Sequence, residues 1–386
     1  MNRNLLSGLL LVVGMLPISA QTLEDLNIQI HGYATQGFLY TTNNNILTTK
    51  SSDGSPAWDE TVVNVTAQPT PKLRIGVQAR YNLMGNLGNA ITLDWASADY
   101  NVADSFGVRF GKVKTPSGLF NEMQDIDPGY IWALLPQSVY PIESRNSQLS
   151  HYGGVVYGTL KLGSKLGKLE YRGFGGERVV SADDGFFVNA REGGLNLPNG
   201  LSGPTYGAAL HWRTPIRGLM IGASNFKETH WTAIITAAGG ALKGVENNAP
   251  RNQPNIFGIY ERGKVMIASE YCRQNGSATV DFAGMPTIPI RYDQREWYGM
   301  ASYKLTSKLT VGLYDSQASN KQVAPGPARY SKDWAIATRY EFNQFLYAKA
   351  EQHFIDGTAV NFDATMNPSG LKPDTRLTVL KIGVSF

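Results

Sequence analysis

The chain has 386 residues, 35 Lys and Arg against 31 Asp and Glu, one cysteine and a mean hydropathy of −0.22. A net charge of +4 is too small to call for a nucleic-acid partner, and Cys272 alone allows no internal disulfide. So polar a chain is not a bundle of membrane helices; if it meets a bilayer, it must do so as strands. In chain order, residues 1–20 carry a basic start at Arg3, an apolar run over 5–16 and Ser19-Ala20 before Gln21, which reads as a secretory signal peptide cut after Ala20. Residues 21–386 then form one domain.

The first expected strand, 27–40, sets Asn27, Gln29, His31, Tyr33 and Thr35 on one face; the second, 61–68, alternates Val63, Val65 and Ala67 with Asn64, Thr66 and Gln68. The third is the clearest. Lys72, Arg74, Gln78 and Arg80 share a face opposite Leu73, Ile75, Val77, Ala79 and Tyr81, a polar row that no buried sandwich strand would carry. Residues 90–97 and 105–111 set Asp94 and Arg109 against apolar neighbours. After the interruption 111–150, strands recur near 152–162, 168–176, 205–213, 219–226, 255–261, 265–273, 296–305, 309–315, 332–341 and 345–354. The last strand, 376–386, alternates Thr378, Leu380, Ile382, Val384 and Phe386 with Lys381, Gly383 and Ser385.

Short turns at 163–167, 214–218, 262–264, 306–308 and 342–344 alternate with long connections at 41–60, 177–204, 227–253, 274–293, 316–331 and 355–373. Sixteen strands with short turns at one rim and long loops at the other, apolar on one face and polar on the other, predict an all-β closed antiparallel transmembrane barrel. A barrel of that size leaves a wet lumen. The polar face has more basic than acidic residues, which favours anions in the pore. Segment 111–150 carries Ile131, Trp132, Leu134 and Leu135, costly in water, so it is expected to fold inward and narrow the lumen.

The final strand ending on Phe386 resembles the closing strand of bacterial outer-membrane barrels, whose terminal Phe serves as an assembly signal. The run Gly111-Lys112-Val113-Lys114-Thr115-Pro116-Ser117-Gly118-Leu119, with Leu93-Asp94-Trp95-Ala96 before it, resembles the phosphate-selective-porin-like branch of the Gram-negative porins, where a similar run leads into the third, constricting loop. The resemblance implies a 16-stranded barrel, usually a homotrimer, passing small hydrophilic solutes by diffusion through the outer membrane after insertion by the barrel-assembly machinery. It places Lys112 and Lys114 at the family's basic strand-to-loop positions and Glu122 at its acidic loop position. Gln124 replaces the Arg that usually follows, and no basic cluster marks a phosphate site.

The candidate pore-lining residues are therefore Lys72, Arg74, Arg80, Arg109, Lys112 and Lys114. Glu122, Asp125 and Asp127 would face Arg74, Arg80 and Arg109 across the constriction. A channel selective for phosphate or carboxylate is the nearest alternative. An enzyme or adhesin on a barrel scaffold is a more distant one, because the five histidines are scattered and no Gly-x-Ser-x-Gly elbow or paired-His metal spacing occurs. Nothing in the chain calls for a cofactor or a metal.

Overall fold

A computed structural model describes residues 26–386 apart from Gly193 and His230. The expected leader, 1–20, lies outside the described residues. The first five strands are β1 (Gln29–Thr41), β2 (Ser55–Thr70), β3 (Leu73–Met84), β4 (Leu87–Ala103) and β5 (Phe106–Lys114). After residues 115–149 follow β6 (Ser150–Lys161), β7 (Lys168–Val180), β8 (Leu201–Arg213), β9 (Leu219–Glu228), β10 (Trp231–Ala237), β11 (Leu242–Asn248) and β12 (Arg251–Arg262). The remaining strands are β13 (Val265–Phe282), β14 (Ile288–Lys304), β15 (Leu309–Asn320), β16 (Tyr330–Glu341), β17 (Leu346–Gly357) and β18 (Asp374–Ser385).

All pairings are antiparallel. From β1 to β9 each strand pairs with the next; β9 then pairs with β12, and β12 to β18 continue the series until β18 returns to β1. Leaving out β10 and β11, the ring closes on sixteen strands, which satisfies the main chain without leaving an edge. Closure is in register from Tyr33↔Ser385 to Thr41↔Leu377. Gly32 and Phe386 exchange two further backbone hydrogen bonds of 3.0 Å.

The outward face is apolar because the period-2 pattern places it there: Ile75 and Val77 on β3, Ile336 on β16, and Leu380, Ile382 and Val384 on β18 are all exposed. On the other face lie buried charges, Arg80 on β3 and Lys381 on β18, and Lys349 on β17. A water-soluble barrel would invert this arrangement.

Two expectations need correction. Residues 227–253 are not a plain connection: β10 and β11 form a hairpin that stands above the ring, touching β8 at Thr232↔Ser202 and β13 from Gly244↔Phe282 to Asn248↔Ala278. Its Trp231, Ala233 and Ile235 pack with Val180, Phe187, Leu201 and Phe282. The 274–293 connection is mostly strand as well, since β13 and β14 pair up to Val280↔Ile288. Polar Gln, Asn, Ser and Thr in that stretch read as loop residues, yet once the strands clear the membrane both faces tolerate them.

Candidate channel interior

Residues 115–149 leave β5 and re-enter at β6, and their polar contacts reach most of the circumference. Gly118 N–H donates to Ser224 Oγ of β9 (2.9 Å), the Tyr140 hydroxyl donates to Glu270 of β13 (2.5 Å), and Ser138 and Ser316 of β15 bond through their hydroxyls (2.7 Å). Arg339 of β16 donates to the carbonyls of Pro128 (2.9 Å) and Tyr130 (3.0 Å), and Glu351 of β17 accepts from the amides of Ala133 (2.6 Å) and Leu134 (3.1 Å). On the opposite wall Arg145, in a short helix α1 (Arg145–Leu149), forms a bidentate pair with Asp94 of β4, both bonds 2.9 Å.

The apolar residues of the segment explain why it packs rather than extends. Trp132, Leu135, Val139 and Tyr140 bury against Ala268, Tyr298, Met300, Tyr314 and Ala335, while Ala133 and Leu134 join Leu39, Trp58, Met84, Phe362 and Leu377. That burial offsets the entropy of ordering a long irregular segment. Residues 41–50 and 358–373 close over the second cluster through the Ile46↔Phe362 bridge.

At the centre of the contacts is Asp127. Its carboxylate accepts from Lys381 (2.6 Å), Lys349 (3.0 Å) and the Tyr347 hydroxyl (2.7 Å). Burial opposes ionisation there, but the two ammonium groups and the phenol hold the carboxyl well below the usual carboxylate range. Lys381 also lies 3.8 Å from Glu60 and 4.4 Å from the Trp58 ring, and Glu60 pairs with Arg80 at 2.5 Å. A connected buried network thus joins Arg80, Glu60, Lys381, Asp127 and Lys349.

The expected field of three arginines facing three carboxylates is not what these contacts make. Arg80 is buried and spent on Glu60, Asn82 and Asn146. Asp125 is buried between Lys114 (2.7 Å) and Gln78 (2.9 Å), and Asp127 is enclosed by lysines, so neither carboxylate faces an open gap. Pairing between strands, and between strands and residues 115–149, consumes the charges; the partners follow from register and from the path of that segment, neither of which the sequence states.

What stays open is a cavity of about 450 Å³ beside this segment, lined among others by His31, Arg74, Trp95, Arg109, Lys114 and Glu122. Arg74, Asp99 and Arg109 sit side by side in register across β3, β4 and β5. Asp99 pairs with Arg109 at 2.8 Å, whereas Arg74 is exposed and has no ion pair among the described residues. Glu122 lies 3.5 Å from Arg172. Lys72 is exposed in the turn before β3. Lys112 is not brought into the cavity: its ammonium donates to the Leu93 carbonyl and lies 5.5 Å from the exposed Tyr152 ring.

Several partners escaped sequence reasoning. Glu60 fell in an expected loop because β2 begins six residues earlier than its apolar alternation, Arg145 carried no motif, and Arg172, on the polar face of the expected strand 168–176, gave no sign of its partner Glu122. His353, held between Asp333 (2.9 Å) and Glu351 (3.1 Å), completes the carboxylate that clamps Ala133 and Leu134, a role visible only once β16 and β17 are paired.

No protein-family model and no curated protein matches the chain. Solved structures do. The Salmonella typhi OmpF complex with daunomycin aligns with a TM-score of 0.59 at 12% identity, covering 95% of this chain and 99% of that one. The anion-selective porin from Comamonas acidovorans aligns at 0.56 and 10% identity, covering 93% and 99%. The outer-membrane channel DcaP of Acinetobacter baumannii aligns at 0.55 and 10%, covering 95% and 99%. The fold is that of the outer-membrane porins. Identities this low carry the porin architecture across and leave the phosphate-selective branch unsupported.

Proposed function

We propose that the protein is a non-enzymatic porin of the outer membrane, a water-filled channel for passive diffusion of small hydrophilic solutes with a modest preference for anions. The observation that carries this reading is the open cavity of about 450 Å³ on the polar face of a sixteen-stranded ring, with the unpaired Arg74 in its wall. Asp99 neutralises Arg109, Lys114 offsets Asp125 and Arg172 sits by Glu122, so Arg74 supplies the excess charge on that wall. A single uncompensated guanidinium in a wet lumen tilts permeation towards anions without binding them tightly. Residues 115–149 narrow the lumen and set the size limit. A homotrimer inserted by the barrel-assembly machinery through a signal at Phe386 accords with the porin fold.

Planar-bilayer recording tests the function. Reconstituted protein should give stepwise ohmic conductance and a reversal potential in a KCl gradient that indicates chloride preference, shrinking as salt rises. Absence of conductance from folded, inserted protein would refute the channel; cation preference would refute the selectivity alone.

A further inference from the structure

The outward wall carries one patch that a hydrocarbon belt does not explain. On β13 the exposed Ile267 and Tyr271 are followed on the same face by Arg273; on β14 Tyr303 and Trp297 are followed, towards the long-loop rim, by Arg295, Asp293 and Arg291. The two rows are in register, Tyr271↔Trp297, Arg273↔Arg295, Asn275↔Asp293 and Ser277↔Arg291. The arginines therefore begin one outward position beyond an aromatic pair, about 7 Å along the strand. Exposed Tyr and Trp on a barrel wall mark the edge of the hydrocarbon, which puts Arg273 and Arg295 at headgroup depth and Arg291, four residues further along β14, on the outer side of that layer.

Asp293 organises them. Arg273 holds its two oxygens at 2.7 and 3.1 Å, and Arg295 reaches one of them at 3.3 Å. One carboxylate among three guanidinium groups leaves a surplus of positive charge. The side chains of Arg273 and Arg295 stay 43% and 45% exposed, and Arg291 is exposed with no ion pair among the described residues. Other acids at outward positions have their own partners: on β13 Asp281 accepts from Thr287 at 2.6 Å and Asn247 at 3.3 Å, on β15 Asp315 accepts from Gln317 at 3.2 Å, and on β17 Asp356 lies 3.6 Å from Lys332. Oriented guanidinium forks with spare donors suit the oxygens of a phosphate monoester.

We propose that Arg273, Arg291 and Arg295 form a docking site for the phosphorylated headgroup of a lipid in the outer leaflet, an inference that rests on the outer-membrane reading above. A lipid fits better than free phosphate because the Tyr271–Trp297 pair directly below offers apolar surface to an acyl chain, which a free ion would leave unused.

The test uses the full chain, purified in detergent and titrated with bisphosphorylated lipid A or its dephosphorylated form, with bound lipid counted by native mass spectrometry. The R273Q/R291Q/R295Q variant should bind lipid A at least about tenfold more weakly than the unmodified protein, and the dephosphorylated lipid should bind both equally weakly. Arg291→Gln, which breaks no ion pair among the described residues, should by itself show part of the loss if the triple variant folds poorly. Equal binding by R291Q and the unmodified protein, full binding of the dephosphorylated lipid, or displacement of lipid A by an equal concentration of inorganic phosphate would overturn the proposal. Cell fractionation is read separately: a barrel missing from the outer membrane would refute the localisation while the binding result still judged the site.

Discussion

Asp127 gathers two ammonium groups and a phenol onto one turn of an otherwise irregular segment, and that concentration of charge makes its contribution dependent on pH in a defined direction. Its folded-state carboxyl is held below the unfolded value, so the stabilisation is complete above about pH 4, the unfolded range for Asp, and is lost only as pH falls through the lower folded value. Conductance measured from pH 8 down to pH 4 should keep one open level, with flicker from a released 115–149 segment only in stronger acid; flicker that sets in near neutrality would contradict this account. Arg145 offers a second handle. Arg145→Ala leaves Asp94 buried without its bidentate partner and should cost about 3–5 kcal/mol, read as an earlier denaturant midpoint, whereas Arg74→Ala should cost almost nothing. At this scale the sequence displayed which face each charge occupies and concealed its partner. Parity along β3 puts Arg80 inside, but only the register Val62↔Arg80, two residue pairs from Glu60↔Asn82, brings the Glu60 carboxylate to 2.5 Å.

Among the elements, the closing pair β1–β18 and the β10–β11 hairpin show the two extremes of legibility. Strand β18 announces itself in its second half, where Leu380, Ile382 and Val384 alternate with Lys381, Gly383 and Ser385 up to Phe386, while Leu377 and Val379 before them turn inward. Its fit against β1 depends on Gly32: a Cβ there would come within 2.5 Å of the Val62 carbonyl and 2.8 Å of the Phe386 ring. Deleting Phe386 removes both backbone bonds to Gly32 as well as the rim aromatic, so folded protein in the outer membrane should fall several-fold, and Gly32→Val should fall with it because it displaces the same ring. Normal yield from both variants, measured as heat-modifiable barrel in membrane fractions, would remove any role for this contact in assembly. The hairpin was illegible for a physical reason: seven-residue strands sit among Gly, Asn and Thr, and the apolar row Trp231, Ala233 and Ile235 is too short to stand out until the tips of β8 and β13 provide surfaces for it. Trp231→Ala should therefore loosen residues 181–200, raising their proteolysis, while the ring of sixteen strands keeps its stability.

For the molecule as a whole, the question is which charges the lumen actually feels. Counting inward residues by parity suggests a strongly basic wall, yet most of those charges are paired at contact distance: Arg80 with Glu60, Arg109 with Asp99, and Lys349 and Lys381 together with Asp127, which offsets one of the two. A paired, buried charge has a dipolar field that fades over a few ångströms, whereas an unpaired one in the wall acts over a Debye length, about 8 Å at physiological salt. Arg74 and Arg80 thus separate two properties that the sequence placed together. Arg74→Ala should shift the zero-current potential in a salt gradient towards cations and leave the denaturant midpoint unchanged. Arg80→Ala should instead leave Glu60 buried with only Lys381 at 3.8 Å, lowering the midpoint and adding current noise as the network around Asp127 loosens, with a smaller change in ion preference. The two variants measured together decide the matter: if Arg80→Ala moves selectivity as far as Arg74→Ala, the lumen responds to total basic count, and the pairing described here does not govern permeation.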